Sequence, residues 1–388
     1  LNNPIPRRLQ ELLCLDDFET AARRFLPRSI FGYVAGAAET DWSLRDNRAA
    51  FAEYGFLPRM LVDVSKRSQR TTLFDHVYAQ PFGIPPLGIS ALYAYRGDLA
   101  LAQAAEAANI PMVMSASSLI RLEEVAAASK SAWFQAYLPG DMPSITALIE
   151  RVARSTFQTL VVTVDSQVAG NRENNIRAGF STPLKPTLTL AWDGLSHPRW
   201  LFGTFLRTLL LHGMPHFENN FATRGAPILS PNVLRDYSDR GNVSWDHLQE
   251  VRRMWKGRLV IKGILAKADA VTARDMGADG IVVSNHGGRQ LDGAVSALRV
   301  LPGIVAACPD IPVMMDGGIR RGTDVLKALA LGAKFVFVGR PFGFAAAIAG
   351  VAGIDHAIGL LSAEISRDMA MLGIADLKDL DPGRLVRI

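Results

Sequence analysis

Residues 312–340, PVMMDGGIRRGTDVLKALALGAKFVFVGR, carry the pattern that decides the fold. An apolar run, Pro312 to Asp316, meets a Gly-Gly turn, and a helix-period segment, VLKALALG, follows Thr323 and Asp324. A second apolar run, Phe335 to Arg340, comes next. Short continuous apolar runs read as strands buried on both faces, while a Thr or Asp before a helical segment and a Gly after it mark its two ends. The stretch is therefore a β-α-β unit, and it recurs. Further β-rich runs lie at Phe82 to Ile89, Pro111 to Ser115, Ala132 to Leu138, Thr159 to Asp165, Arg258 to Ile264 and Gly280 to Asn285. Helix-period segments such as LALAQAAEAA after Asp98, ITALIERVA after Ser144 and AVTARDMG after Asp269 separate them. Eight strand-helix repeats predict an α/β protein, a closed (β/α)8 TIM barrel. A doubly wound dinucleotide fold would need a Gly-rich turn after an early strand, and no G-x-G-x-x-G occurs in the chain.

The organisation expected is one domain over 1–388, with a helical N-terminal cover over 1–75 and a long inserted loop region over 180–243, after the fourth strand. The insert contains SHPRWLFGTFLRTLLLHGMPHF. Its bulky apolar residues from 196 to 214, with Arg199 and Arg207 among them, suit either a membrane surface or packing on the barrel rim. The uncharged run Pro341 to Ile354 has 14 residues, short of the roughly 18 to 20 that a membrane-spanning helix needs. No secretory signal is read in LNNPIPRRLQELL, so a cytoplasmic place is expected.

Apolar residues make up 49% of the chain and charged residues 20%, the balance of a packed globule and not of a disordered chain. The net charge of +5 is spread thinly, so anionic small ligands are expected and nucleic acid is not. Cys14 and Cys308 lie far apart and match no metal or redox spacing, and no metal is expected at the scattered histidines.

In barrel enzymes the chemistry gathers at the C-terminal ends of the strands. Polar groups stand there on nearly every run: Gln135 and Tyr137 on the third, Thr163 and Asp165 on the fourth with Arg172 soon after, and Lys262 on the fifth. His286 and Arg289 follow the sixth. The DGGIRRGTD segment lets backbone N–H groups approach an anion, and Arg320 and Arg340 add charge-assisted donors; the pair of loops is the habitual phosphate site of such barrels.

These residues resemble a known family. SNHGGRQLDG (284–293), with KG at 262–263, TVD at 163–165, FQAY at 134–137 and DGGIRRGTDVLKALALGA at 316–333, is similar to the FMN-dependent 2-hydroxy acid dehydrogenases and oxidases. The resemblance runs from about residue 15 to 380 and implies oxidation of an (S)-2-hydroxy acid to the 2-oxo acid with FMN. It makes His286 the catalytic base and Asp165 its carboxylate partner. Arg172 and Arg289 become the clamp on the substrate carboxylate, joined by Tyr33, and Tyr137 bonds the substrate hydroxyl. It sets Pro86, Leu87 and Gly88 under the flavin ring, with Ser115, Gln135, Thr163 and Lys262 along its polar edge. Asp316 meets the ribityl chain, and Gly317, Gly318, Arg320, Gly339 and Arg340 hold the phosphate.

Ser117 and Ala169 stand where plant glycolate oxidase has a tryptophan and a leucine, which implies a wider substrate pocket suited to (S)-mandelate. VAGNRE resembles mandelate dehydrogenases, whereas GILAKADA and SHPRW lie closer to bacterial L-lactate dehydrogenases, so an L-lactate dehydrogenase, or an oxidase using dioxygen, is the alternative. The resemblance also implies a quinone or dioxygen as electron acceptor, a homotetramer, and peripheral membrane contact through 196–214.

Overall fold

The structure, a computed structural model, describes residues 6–182, 184–185, 187–230 and 240–388. Residues 1–5 of the expected N-terminal cover, and 183, 186 and 231–239 of the expected insert, lie outside the described residues.

Eight strands follow the eight apolar runs: β1 (Phe82–Gly83), β2 (Val113–Ser115), β3 (Trp133–Ala136), β4 (Thr159–Thr163), β5 (Arg258–Ile264), β6 (Gly280–Val283), β7 (Val313–Asp316) and β8 (Phe335–Phe337). Each pairs in parallel with its sequence neighbour from β2 to β8, and β8 pairs with β1 through Val336 and Phe82. The last gap, between β1 and β2, is closed by an Ile84–Met112 bridge. There the Ile84 N–H donates to the Pro111 carbonyl at 2.9 Å and the Val113 N–H to the Ile84 carbonyl at 2.8 Å. The barrel is thus a closed (β/α)8 barrel.

Closure is tight at Gly83, where a Cβ would lie 2.6 Å from the Pro111 carbonyl oxygen and 3.0 Å from the Phe337 ring. Only glycine lets β1 pass between its two neighbours. β1 then stops short of the apolar run that marks it, because Pro85 and Pro86 have no N–H to continue the ladder.

The barrel interior is filled by period-two alternation. Val113, Trp133, Val161, Val260, Val282, Met314, Phe335 and Phe337 form one buried apolar cluster. Residues two apart on a strand face the same side, so the next inward positions are Ser115, Gln135, Thr163, Lys262, Ser284 and Asp316. An apolar floor therefore lies beneath a polar layer, all six members of which are buried.

The far end of the barrel is plugged by a hairpin, Thr71–Leu73 with His76–Tyr78, whose Leu73 and Tyr78 belong to the floor cluster. This departs from the helical cover expected over 1–75. The strands are three residues long, and the turn is built on Phe74, at φ 54°, and not on the Asn-Gly or Asp-Gly pair that marks such turns in sequence. A second departure is Tyr54–Phe56, which pairs antiparallel with Leu385–Arg387. The α-helices of the cover are Leu15–Phe25, Arg28–Ala35 and Trp42–Ala52.

The helix after β8, Arg340–Leu372, is long and apolar enough to cross a membrane by length and composition alone, yet half of its most apolar window is buried. Non-helical dihedrals at Ala349 and Gly350 break it into two pieces, which pack against Leu15–Phe25 and Gly97–Ala107. In the insert, Leu188–Leu195 is followed by a continuous helical run from Pro198 to His212 that widens over Leu201–Leu206. Its Trp200, Thr204 and Thr208 turn inward, and the Trp200 indole N–H donates to the Leu92 carbonyl at 2.7 Å.

Candidate active site

Lys262, in the polar layer, holds the strand ends together. Its Nζ lies 3.2 Å from Asp316 Oδ2 and donates to Ser284 Oγ at 2.9 Å. Ser284 Oγ in turn accepts the His286 backbone N–H at 3.0 Å. His286 has φ 58°, and Gly287 and Gly288 follow at 64° and 77°, so three successive residues occupy the left-handed region. A non-glycine residue held there costs of order 1–3 kcal/mol, and here the Ser284 contact and the ring's own partner hold it. That partner is Asp165, whose Oδ1 accepts the His286 Nδ1–H at 2.8 Å. Ser166 Oγ donates to the same oxygen at 3.1 Å.

Burial pushes the His286 imidazole below its ordinary titration range; Asp165 opposes this, and the positive charges of Lys262 and Arg172 reinforce it. For Asp165 burial acts upward, but its interaction with His286, the Lys262 charge and the Ser166 hydrogen bond hold the carboxyl below the usual carboxylate range. An ionised Asp165 beside a neutral imidazole follows. With Nδ1 committed as donor, Nε2 keeps its lone pair, and the Tyr137 hydroxyl lies 3.4 Å from it.

The arginines tie the helical cover to the mouth. Arg289 donates to the carbonyls of Gly36 at 2.6 Å and Tyr33 at 2.8 Å and stands over the Tyr33 ring. Arg340 donates to the carbonyls of Val34, Gly36 and Gly287. These serve the last carbonyls of Arg28–Ala35, the negative end of that helix. Arg172 donates to the Arg289 carbonyl at 3.1 Å and to Gln290 Oε1 at 2.8 Å. Burial, then the like charges of Arg289 and Arg320, press Arg340 well below the usual guanidinium range; burial, then Arg48, lowers Arg320. Buried guanidiniums that repel one another mark a place for an anion.

One cleft collects nearly all the residues singled out in the sequence. Tyr33, Pro86, Leu87, Gly88, Ser117, Tyr137, Thr163, Arg172, Lys262, His286, Arg289, Asp316, Gly317, Gly318, Arg320, Gly339 and Arg340 line it. Asp165 lies behind His286, and Ser115 donates to Gln135 at 3.3 Å within the polar layer. Ala169 is not on the wall: it is exposed on the loop after β4. Tyr33, Gly88 and Ser117 converge, since a Cβ on Gly88 would lie 3.1 Å from Tyr33 Oη and 3.3 Å from Ser117 Cβ.

The cleft asks for a polar ligand. Gln135 Nε2, Thr163 Oγ1 and Asp316 Oδ1 are buried side-chain atoms without a hydrogen-bond partner, each a cost of about 1–3 kcal/mol if left so. At the opposite end, Gly317 and Gly318 have φ 102° and 81°, and a Cβ on Gly318 would fall 2.0 Å from the Asn47 carbonyl oxygen. That close-packed backbone beside Arg320 and Arg340 suits a phosphate, and the unpartnered amide, hydroxyl and carboxylate suit the ring edge and sugar-like chain of FMN.

Some supporting residues escape a reading by strand ends. Asn47 and Asn285 exchange two amide hydrogen bonds, at 2.8 and 2.9 Å, joining the cover to the His286 loop. Asp292 accepts from Thr40 Oγ1 and from the Ser43 N–H and does the same. Tyr93, fully buried, forms cleft wall beside Leu87 and Gly343. Ser284 alone carried a signal, two places beyond the inward Val282. Because burial outweighs its carboxylate partner, we expect His286, followed by NMR, to protonate only below the ordinary imidazole pKa of about 6.5. Asp165→Asn should lower that midpoint further, and a midpoint above the ordinary value would contradict the balance described.

Comparison with known proteins agrees with this geometry. Residues 22–387 match the family described as FMN-dependent dehydrogenase. The chain is 39% identical over 380 residues to an L-lactate dehydrogenase of Pseudomonas entomophila (strain L48), covering 96% of this chain and 97% of that one. It is 35% identical over 377 residues to the (S)-mandelate dehydrogenase of Pseudomonas putida, covering 97% and 94%. Among solved structures it is similar to a monotopic membrane protein, (S)-mandelate dehydrogenase, with a TM-score of 0.90 at 34% identity over 98% of this chain and 100% of that one. With its barrel, its His-Asp pair and its phosphate-suited glycines in place, the chain belongs to the FMN-dependent 2-hydroxy acid dehydrogenase family.

Proposed function

We propose that residues 1–388 act as a single FMN-binding domain that oxidises a bulky (S)-2-hydroxy acid, with (S)-mandelate the best-fitting substrate. The observation that carries this reading is the convergence of His286, Arg172, Arg289, Tyr33, Tyr137 and the small Ser117 on one cleft. When bound, FMN supplies the two-electron acceptor. Its phosphate would be held by Gly317, Gly318, Arg320, Gly339 and Arg340, its ribityl chain by Asp316, and its ring by Pro86 to Gly88, Ser115, Gln135, Thr163 and Lys262.

The remaining chemistry belongs to the chain. Arg172 and Arg289 hold the substrate carboxylate, since a planar guanidinium matches it in two-point contact. Tyr33 closes over the same end. The neutral Nε2 of His286 accepts a substrate proton, and the Asp165 carboxylate at 2.8 Å stabilises the imidazolium that results. Tyr137 donates to the substrate oxygen. Lys262, paired to only one oxygen of Asp316, keeps positive charge under the place where negative charge gathers.

Pocket width separates the substrates. Ser117 puts a small side chain on the cleft wall where a tryptophan would bring an indole, and burying a phenyl group in the cleft contributes about 25 cal/mol per Å². Ala169, exposed, has no part in that argument. L-lactate is the second reading, favoured by the 39% identity to an L-lactate dehydrogenase. Catalytic efficiency should rise from glycolate through L-lactate to (S)-mandelate, and Ser117→Trp should depress (S)-mandelate by about tenfold or more while sparing glycolate. Glycolate as the best substrate, or equal losses on all three, would count against the pocket.

The insert supports a peripheral seat on the cytoplasmic membrane. Leu188, Trp192, Leu195, Phe202, Leu210 and Leu211 are all exposed, Trp192 at 73% and Leu210 at 83%, while the same helices turn Trp200 and Thr204 inward. Such apolar side chains exposed on two successive helical segments, with Arg199 and Arg207 among them in sequence, suit the interface of an anionic bilayer. That seat favours a quinone over dioxygen as acceptor, and assembly as a homotetramer belongs to the same reading through the family resemblance. Purified protein should sediment with vesicles containing anionic phospholipid, and Trp192→Glu with Leu210→Glu should release it without loss of flavin. Wild-type protein left in the supernatant would overturn the membrane seat.

A further inference from the structure

Arg240 lies outside every motif discussed so far, yet it is 5% exposed and its guanidinium carbon stands 5.0 Å from the centroid of the Tyr137 ring. It comes from the return limb of the insert, just before Trp245–Met254, and lines a second cavity that shares Tyr137 and Thr163 with the active-site cleft. Tyr137 is itself 8% exposed, and its hydroxyl is the group 3.4 Å from His286 Nε2. We propose that Arg240 is a positioning residue that acts through Tyr137: its charge over the ring face fixes the phenol and strengthens its O–H as a donor to the reacting substrate oxygen.

The physical case rests on the ring quadrupole. A cation near an aromatic face is attracted to it, more strongly where water is excluded. Negative charge gathering on the substrate oxygen draws the phenol proton toward it and leaves electron density on the phenol oxygen and ring, so the phenol becomes more phenolate-like as reaction proceeds. A cation at the ring favours that state over the ground state, and an interaction stronger in the transition state raises the rate and not merely the affinity. The ring and the charge that holds it are thus drawn from two parts of the chain: Tyr137 from the end of β3, and Arg240 from the far end of the insert. The insert consequently reaches the chemistry as well as the surface.

This inference rests on the role given to Tyr137 above, and a double-mutant cycle separates the two. Flavin reduction by (S)-mandelate is followed anaerobically in the wild type, Arg240→Gln, Arg240→Lys, Tyr137→Phe and the Arg240→Gln, Tyr137→Phe double variant, each checked for bound FMN by its visible spectrum. Arg240→Gln should slow the limiting reduction rate about tenfold, the scale of a desolvated cation-π contact, with little change in the substrate concentration for half-saturation. Arg240→Lys should recover most of that loss. In the Tyr137→Phe background, Arg240→Gln should change the rate less than twofold. Equal losses in both backgrounds would show a merely structural Arg240 and overturn the proposal, as would an undiminished rate in Arg240→Gln. A Tyr137→Phe variant as fast as the wild type would remove the role of Tyr137, and this inference with it.

Discussion

A single buried ammonium, that of Lys262, constrains the rest of the barrel mouth. Moving such a charge out of water costs several kcal/mol even after relaxation, and the structure answers with Asp316 at 3.2 Å and Ser284 at 2.9 Å. The answer is incomplete by design of the strands. Asp316 keeps one buried oxygen without a partner, and Gln135 and Thr163 in the same layer each keep an unpartnered atom. The layer is therefore shaped for a flat polar ligand and costly without it. Ser284 also receives the His286 N–H, so the cation that faces the cofactor and the loop that carries the base share one oxygen.

The electrostatic consequence extends to the base. Lys262 helps keep Asp165 ionised and helps keep His286 neutral. Both effects favour the same state, an unprotonated Nε2 backed by a carboxylate, which is what a general base needs before substrate arrives. The arginines follow a related logic with the sign reversed. Arg289 and Arg340 use part of their hydrogen-bonding capacity on the last carbonyls of Arg28–Ala35, and that contact sets the cover over the mouth. Their mutual repulsion suits the cleft to anionic groups.

Much of this was legible in the sequence for a simple reason. Barrel strands are buried on both faces, so they stand out as apolar runs, and the first polar residues that end them are the ones nearest the mouth. Gln135, Thr163, Lys262 and Asp316 all follow that rule. What stayed hidden depends on contacts distant in the chain. The hairpin over 71–78 lacks turn residues that announce it, and the Asn47–Asn285 and Thr40–Asp292 contacts join segments more than two hundred residues apart. Ala169 shows the limit from the other side: its place in a motif was visible, but whether a loop side chain faces in or out is decided by backbone direction, and here it faces solvent. Arg240 carries no motif at all and acquires meaning only from the ring it covers.

The account stands on His286 as a neutral, carboxylate-backed base above a cofactor site that does not depend on it. The most direct test is anaerobic stopped-flow reduction of the purified yellow holoprotein by (S)-mandelate, comparing wild type with His286→Asn. The wild type should bleach, and the variant should keep its FMN while reducing it at least about a hundredfold more slowly, the lower end of what general-base catalysis supplies. A variant that keeps its flavin and bleaches at nearly the wild-type rate would contradict the account.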